Sequence, residues 1–171
     1  MMESEKHPFI NYLESLRENR GALAALRRGL GQQPGSVPSM YPYVVRWVPE
    51  NTSRQYEAAL YLVASLFAYH PEAGGNGTMG KHFAAARAQE SDNTAIDRRF
   101  TQLLDAHPED LPFYLRQAIS YLRSKNVPVN WDQLFTDLQW WSNESHRVQQ
   151  TWAKDFWGQP VNPSSKESQT A

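Results

Sequence analysis

The chain lacks cysteine altogether, which excludes disulfides, zinc knuckles and thiol catalysis. It lacks any run of about 18 apolar residues, which excludes a membrane-spanning helix. It has almost no net charge, since 17 Lys and Arg face 18 Asp and Glu for a formal −1, so it is no histone-like polycation. The opening stretch, Met1 to His7, is polar and mixed in charge, unlike a secretory signal. With the missing thiols, this sets the expectation of a cytoplasmic protein. Alternating apolar and polar residues are also missing, except over residues 43–48.

What is present is length enough for a core and a helical period. A chain of 171 residues buries roughly 70% of its extended surface, in one domain or two small ones. Pro8 suits a first helical position and is followed by Phe9, Tyr12, Leu13 and Leu16. A second helix, about 19–29, carries Leu23 and Leu26 and stops at Gly31. Residues 39–48 read as either a strand or a short helix. Asn51, Thr52 or Ser53 caps a long helix to Tyr69, which His70-Pro71 ends. Helices follow at about 79–87, 93–106, 108–124, 131–142 and 144–157. The expectation is an all-α protein of two small helical bundles. One lobe spans 1–71, a Gly-rich linker 72–80 holds four of the nine glycines, a second lobe spans 81–157, and 158–171 form a disordered tail.

Several apparent motifs fail on mechanism. Gly75, Gly77 and Gly80 spell G-x-G-x-x-G, and Gly75 to Lys81 spell G-x-x-x-x-G-K. Both need a preceding parallel strand aimed at a helix N-terminus, whereas the preceding segment is helical, and His82 stands where a P-loop needs Ser or Thr. No two of His7, His70, His82, His107 and His146 lie three or four residues apart, so no metal site is expected. No G-x-S-x-G elbow is present, no spacing recommends a carboxylate pair, and no catalytic residue or cofactor is expected. Five of six tryptophans fall after residue 130 and are expected in the core. Trp140 and Trp141 point about 100° apart, so one of them faces outward.

The charges, though balanced, are segregated. Residues 19–49 hold Arg20, Arg27, Arg28 and Arg46 without an acid, and residues 111–131 hold Arg116, Arg123 and Lys125 without one. Arginine outnumbers lysine 12 to 5, and its planar fork grips phosphate oxygens in pairs. Arg20, Arg27 and, nearby, Arg28 are read on one side of the second helix, seven residues being almost two turns, and Leu23, Leu26 and Leu30 on the other. Arg116 and Arg123 flank the stripe of Leu115, Ile119 and Leu122, and Arg98 and Arg99 oppose Leu103 and Leu104. Three helices with an apolar and an arginine side allow one positive surface for sugar–phosphate strands. Asp97 weakens that pattern. The competing readings are ordinary solvated faces, or a helical adaptor whose arginines pair with acids.

Ala25-Leu26-Arg27-Arg28-Gly29, Gly77-Thr78-Met79-Gly80-Lys81, Asp97-Arg98-Arg99-Phe100, Leu115-Arg116, Asn130-Trp131 and Leu138-Gln139-Trp140-Trp141 occur in an order and spacing that resembles the CasB small-subunit family of the type I-E CRISPR Cascade complex. The resemblance runs from about residue 8 to 157. It implies a two-lobed, non-catalytic helical subunit. Two copies would pack along the guide-RNA complex against the repeated backbone subunits and near the large subunit. It further implies contact with guide RNA and with target and displaced DNA strands, without sequence readout, that helps hold the R-loop open. The family's basic positions fall on Arg27, Arg28, Lys81, Arg98, Arg99 and Arg116. Charge and spacing add Arg54, Arg123 and Arg147.

Overall fold

The computed structural model describes residues 5–158. These form nine α-helices and three 3₁₀ turns, and no strand occurs among the described residues. The helices are α1 (Pro8–Ser15), α2 (Arg20–Arg27), α3 (Tyr41–Val44), α4 (Arg54–Tyr69), α5 (Met79–Arg87), α6 (Thr94–Leu104), α7 (Leu111–Ser124), α8 (Trp131–Gln139) and α9 (Arg147–Trp157). The all-α expectation holds. The tail 158–171 lies, apart from Gly158, outside the described residues.

Local chemistry sets the helix starts. The side chains of Asn19, Ser53 and Asn130 accept from the backbone N–H of Ala22, Tyr56 and Gln133, giving α2, α4 and α8 their N-caps. The ambiguous stretch 39–48 is helical: a 3₁₀ turn at Pro38–Met40, then α3, then a second turn at Val45–Trp47. Pro38 and Pro42 have no N–H to give a strand ladder, whereas both suit first-turn helical positions. Met40 and Val44, four residues apart, turn inward together.

The centre of the molecule is α4. All ten residues from Ala59 to Ala68 are buried, so this helix is covered on every side. Helices α2, α7 and α8 pack against it, and the buried residues from Phe9 to Phe156 form a single contiguous cluster. Residues 72–80 run beside the turn that joins α7 to α8. The Glu72 carbonyl accepts from the Val129 N–H and from Trp131 Nε1 at 3.1 Å. Gly75 lies so close that a Cβ there would come within 2.6 Å of the Pro128 carbonyl oxygen. His70 Nε2 donates to the Val127 carbonyl at 2.8 Å, and His82 Nε2 accepts from the Asn130 N–H at 3.0 Å.

Helices α5 and α9 meet at Gly80. A Cβ at this residue would collide with the Trp152 carbonyl oxygen and come 2.9 Å from the Asp155 Cβ. Across the same contact, Thr78 Oγ1 donates to Asp155 Oδ2 at 2.6 Å. Glycine is therefore used here for helix–helix approach. Changing an ordinary helical Gly to Ala stabilises by about 1 kcal/mol. Gly80→Ala is expected to do the reverse and lower stability by about 2 kcal/mol through overpacking, read as a lower urea midpoint at unchanged slope.

Candidate nucleic-acid interface

Helices α6 and α7 pack along each other beside Phe83, whose ring centroid lies 4.9 Å from that of Phe100. Because Ile96, Phe100 and Leu103 of α6 turn inward, Arg98, Arg99 and Gln102 are left outside. On α7 the inward set is Leu111, Leu115, Ala118, Ile119 and Leu122, so Gln117 stays outside and Tyr114 and Ser120 sit half-buried at the edge. The two helices bound a groove of about 560 Å³ that contains both α6 arginines and no carboxylate in its lining.

The groove is buttressed by charges used elsewhere. The Arg99 guanidinium lies 5.4 Å from the centre of the Tyr121 ring, held by cation–π attraction. The Tyr121 hydroxyl donates to Glu90 Oε1 at 2.7 Å, and Lys125 Nζ pairs with the same oxygen at 2.9 Å. Burial, reinforced by the Glu90 carboxylate, pushes the Tyr121 phenol upward. Hydrogen bonds from Lys125 and Tyr121 hold Glu90 low, with a smaller pull from Arg99. Asp97, the acid that weakened the pattern in the sequence, is taken by Arg87, whose Nε lies 3.0 Å from Asp97 Oδ1.

The positive surface continues along α7. The Tyr69 hydroxyl donates to Ser120 Oγ at 3.1 Å, and the Arg123 guanidinium covers the Tyr69 ring at 4.9 Å. The Tyr69 phenol is shifted down, first by the Ser120 hydrogen bond and then by Arg123 and the charge of Arg116. Arg116 itself reaches the turn after α2: a Cβ on Gly31, which has φ +72°, would lie 3.4 Å from Arg116 Nη1. Gly31 follows Arg27 and Arg28 by only a few residues. Arg98, Arg99, Arg116 and Arg123 thus lie along the paired helices α6 and α7, and Arg116 reaches the turn after α2, the helix that carries Arg27 with Arg28 at its C-cap. All six are exposed, and none joins an ion pair among the described residues.

The other three candidates lie elsewhere. Lys81 is exposed in a hollow with Arg87, Glu90 and Phe156. Arg54 edges a cavity with Pro108, Glu109 and Trp141. Arg147 lies in a third, with Asp137 and Trp140. Charge counting also passed over Tyr69, Tyr114, Gln117 and Ser120, since uncharged residues at a helix edge carry no signal until the neighbouring helix is placed.

The tryptophans divide by one residue: Trp141 is buried, donating Nε1 to the Ala106 carbonyl at 2.9 Å, while Trp140 is 60% exposed. No cluster of three or more metal-ligating side chains occurs among the described residues, and none of their helices is long and apolar enough to cross a membrane.

Residues 22–157, most of the folded chain, match the family model described as CRISPR-associated protein Cse2. The chain belongs to the Cse2 family. A Cse2 protein of Thermus thermophilus is 30% identical over 166 residues, covering 94% of this chain and 95% of that protein. The crystal structure of CasB from Thermus thermophilus superposes with a TM-score of 0.77 at 28% identity, covering 88% of this chain and 96% of that one. A chain of a CRISPR RNA-guided surveillance complex gives a TM-score of 0.73 at 25% identity, covering 86% of this chain and 88% of its own length. In this helical fold Gly75 and Gly80 have a plain role. They pack helices and turns together, with Thr78 bonded to Asp155 and the preceding α4 helical, which removes the phosphate-loop reading.

Proposed function

We propose that this Cse2-family chain is a non-catalytic structural subunit of a CRISPR RNA-guided surveillance complex. In this reading it holds nucleic acid without sequence readout on the Arg27, Arg28, Arg98, Arg99, Arg116 and Arg123 surface. The observation that carries this reading is that Arg98, Arg99, Arg116 and Arg123 are exposed along the paired helices α6 and α7, where the neighbouring acids Asp97 and Glu90 are already engaged by Arg87 and by Lys125 with Tyr121. Guanidinium groups that join no ion pair among the described residues suit a strand of phosphates. The partners are the other subunits of the complex, both backbone and large, together with a second copy of the chain, guide RNA and the two target DNA strands. R-loop formation exchanges one duplex for another of similar stability, so modest backbone contacts to the displaced strand shift it appreciably. With a net charge of −1, free chain binds weakly, and placement in a complex supplies the effective concentration. Lys81, Arg54 and Arg147 belong to the proposal as outlying contacts.

The test is a salt titration of oligonucleotide binding. About six phosphate contacts on a single strand give a slope of log affinity against log salt near −4, with no preference among sequences. Salt-independent or absent binding at low ionic strength rejects the surface. One observation favours a second reading, a protein-docking adaptor: the exposed Trp140 ring, a residue type that anchors interfaces. On that reading Trp140→Ala impairs assembly and the arginine variants do not.

A further inference from the structure

We infer that the α6–α7 groove seats an unpaired base of a single-stranded nucleic acid, in addition to the phosphates that its arginines attract. This rests on the nucleic-acid reading of the cationic surface given above. A phosphate track needs only donors and positive charge, and a shallow surface suffices. Here there is a hollow of about 560 Å³, within the roughly 300–1,000 Å³ of pockets that enclose small organic ligands. Arg98, Arg99 and Gln102 stand on its α6 side and Gln117 and Ser120 on its α7 side, so neutral groups that both donate and accept lie beside the cations. Amide carbonyls are poor neighbours for phosphate oxygens but match the mixed edge of a base.

The hollow also has faces suited to stacking. Tyr114 lines it, half-buried and packed against the core, with its ring edge-on to that of Phe113 at 5.2 Å between centroids. Arg99 stands over the Tyr121 ring with its guanidinium 5.4 Å from the ring centre, and a guanidinium plane stacks on bases as it does on aromatic rings. Bases in an intact duplex are stacked away from such a hollow, and only an unpaired or extruded base reaches it. The ligand class is single-stranded nucleic acid. DNA and RNA share the base and phosphate chemistry and differ in the 2′-hydroxyl.

The experiment uses the full chain at about 20 mM salt, with labelled (dT)15, the same backbone carrying abasic sites throughout, and (rU)15. Intact (dT)15 is expected to bind about tenfold more tightly than the abasic strand, the size of one stacked base. Tyr114→Ala is expected to abolish that ratio while leaving abasic binding unchanged and lowering thermal melting only by the loss of a half-buried ring, and Tyr114→Phe to retain both the ratio and the melting temperature. A tighter (rU)15 assigns the site to RNA, and a weaker one assigns it to DNA. Equal binding of intact and abasic strands overturns the base seat and leaves the cationic surface standing. Tyr114→Ala weakening both strands equally also overturns it. Failure of every strand to bind overturns the cationic surface, and the base seat with it.

Discussion

Replacing Arg98, Arg99, Arg116 and Arg123 together with alanine is expected to weaken single-strand binding by about a hundredfold at 50 mM salt. The salt slope should flatten by about 3, because each phosphate contact on a single strand contributes about 0.7 to it. The matched control removes four cations outside the proposed surface, the exposed Arg17, Arg20 and Lys154 together with Lys166, which lies outside the described residues, and changes net charge by the same amount. If binding followed net charge alone, the two variants would behave alike. The geometry predicts otherwise, since Arg98, Arg99, Arg116 and Arg123 lie along the paired helices α6 and α7, whereas Arg17 and Arg20 lie at the junction of α1 and α2 and Lys154 on α9. Folding is expected to survive both changes. The losses are the cation–π contacts of Arg99 on Tyr121 and of Arg123 on Tyr69, about 0.5–1 kcal/mol each at exposed positions. Equal loss of binding in the two variants would refute the clustered surface.

The helices and their arginine sides were legible because a 3.6-residue period is written into neighbouring residues. Leu115, Ile119 and Leu122 face in, so Arg116 and Arg123 must face sideways or out. The opposite fates of adjacent Trp140 and Trp141 follow from the same geometry. What sequence spacing does not carry is which helices become neighbours. Nothing in residues 72–80 announces that Gly75 abuts the Pro128 carbonyl or that Gly80 lets α5 approach α9, and a glycine-rich stretch reads the same whether it flexes or packs. Likewise Arg54 and Arg147, offered by charge and spacing, and Lys81, offered by the family resemblance, lie in three different hollows set by tertiary packing. Asp97 looked like an interruption of the positive face only until Arg87, ten residues earlier, was seen to reach it. Residues 39–48 were undecided because Val44 and Val45 favour strands locally, whereas two prolines and the burial of Met40 with Val44 decide for helix.

His82 makes acid stability the second large effect. It is 4% exposed, and its Nε2 accepts the Asn130 N–H at 3.0 Å, so that nitrogen is unprotonated in the folded chain. Burial lowers its pKa from 6.5 to about 4. An unfolded chain takes up the proton near pH 6.5 and the folded one only near 4, so the unfolded state binds more protons throughout that window. The contribution is therefore present in full above pH 6.5 and lost as pH falls toward 4, amounting to about 2 kcal/mol at pH 5 and about 3 kcal/mol at pH 4. Asp137 acts in the opposite sense: burial raises its pKa, so lowering the pH relieves a cost instead of adding one. His82→Gln separates the two, because its amide oxygen still accepts the Asn130 N–H and does not titrate, while Asp137 is common to both proteins. Urea midpoints at pH 7, 5.5 and 4.5 are expected to fall steeply for the parent chain and much less for His82→Gln, so that the two curves converge in acid. Parallel curves would mean that the proton goes elsewhere. Because Asn130 caps α8 through Gln133 while its own N–H is held by His82, early acid loosening is expected at the turn joining α7 to α8.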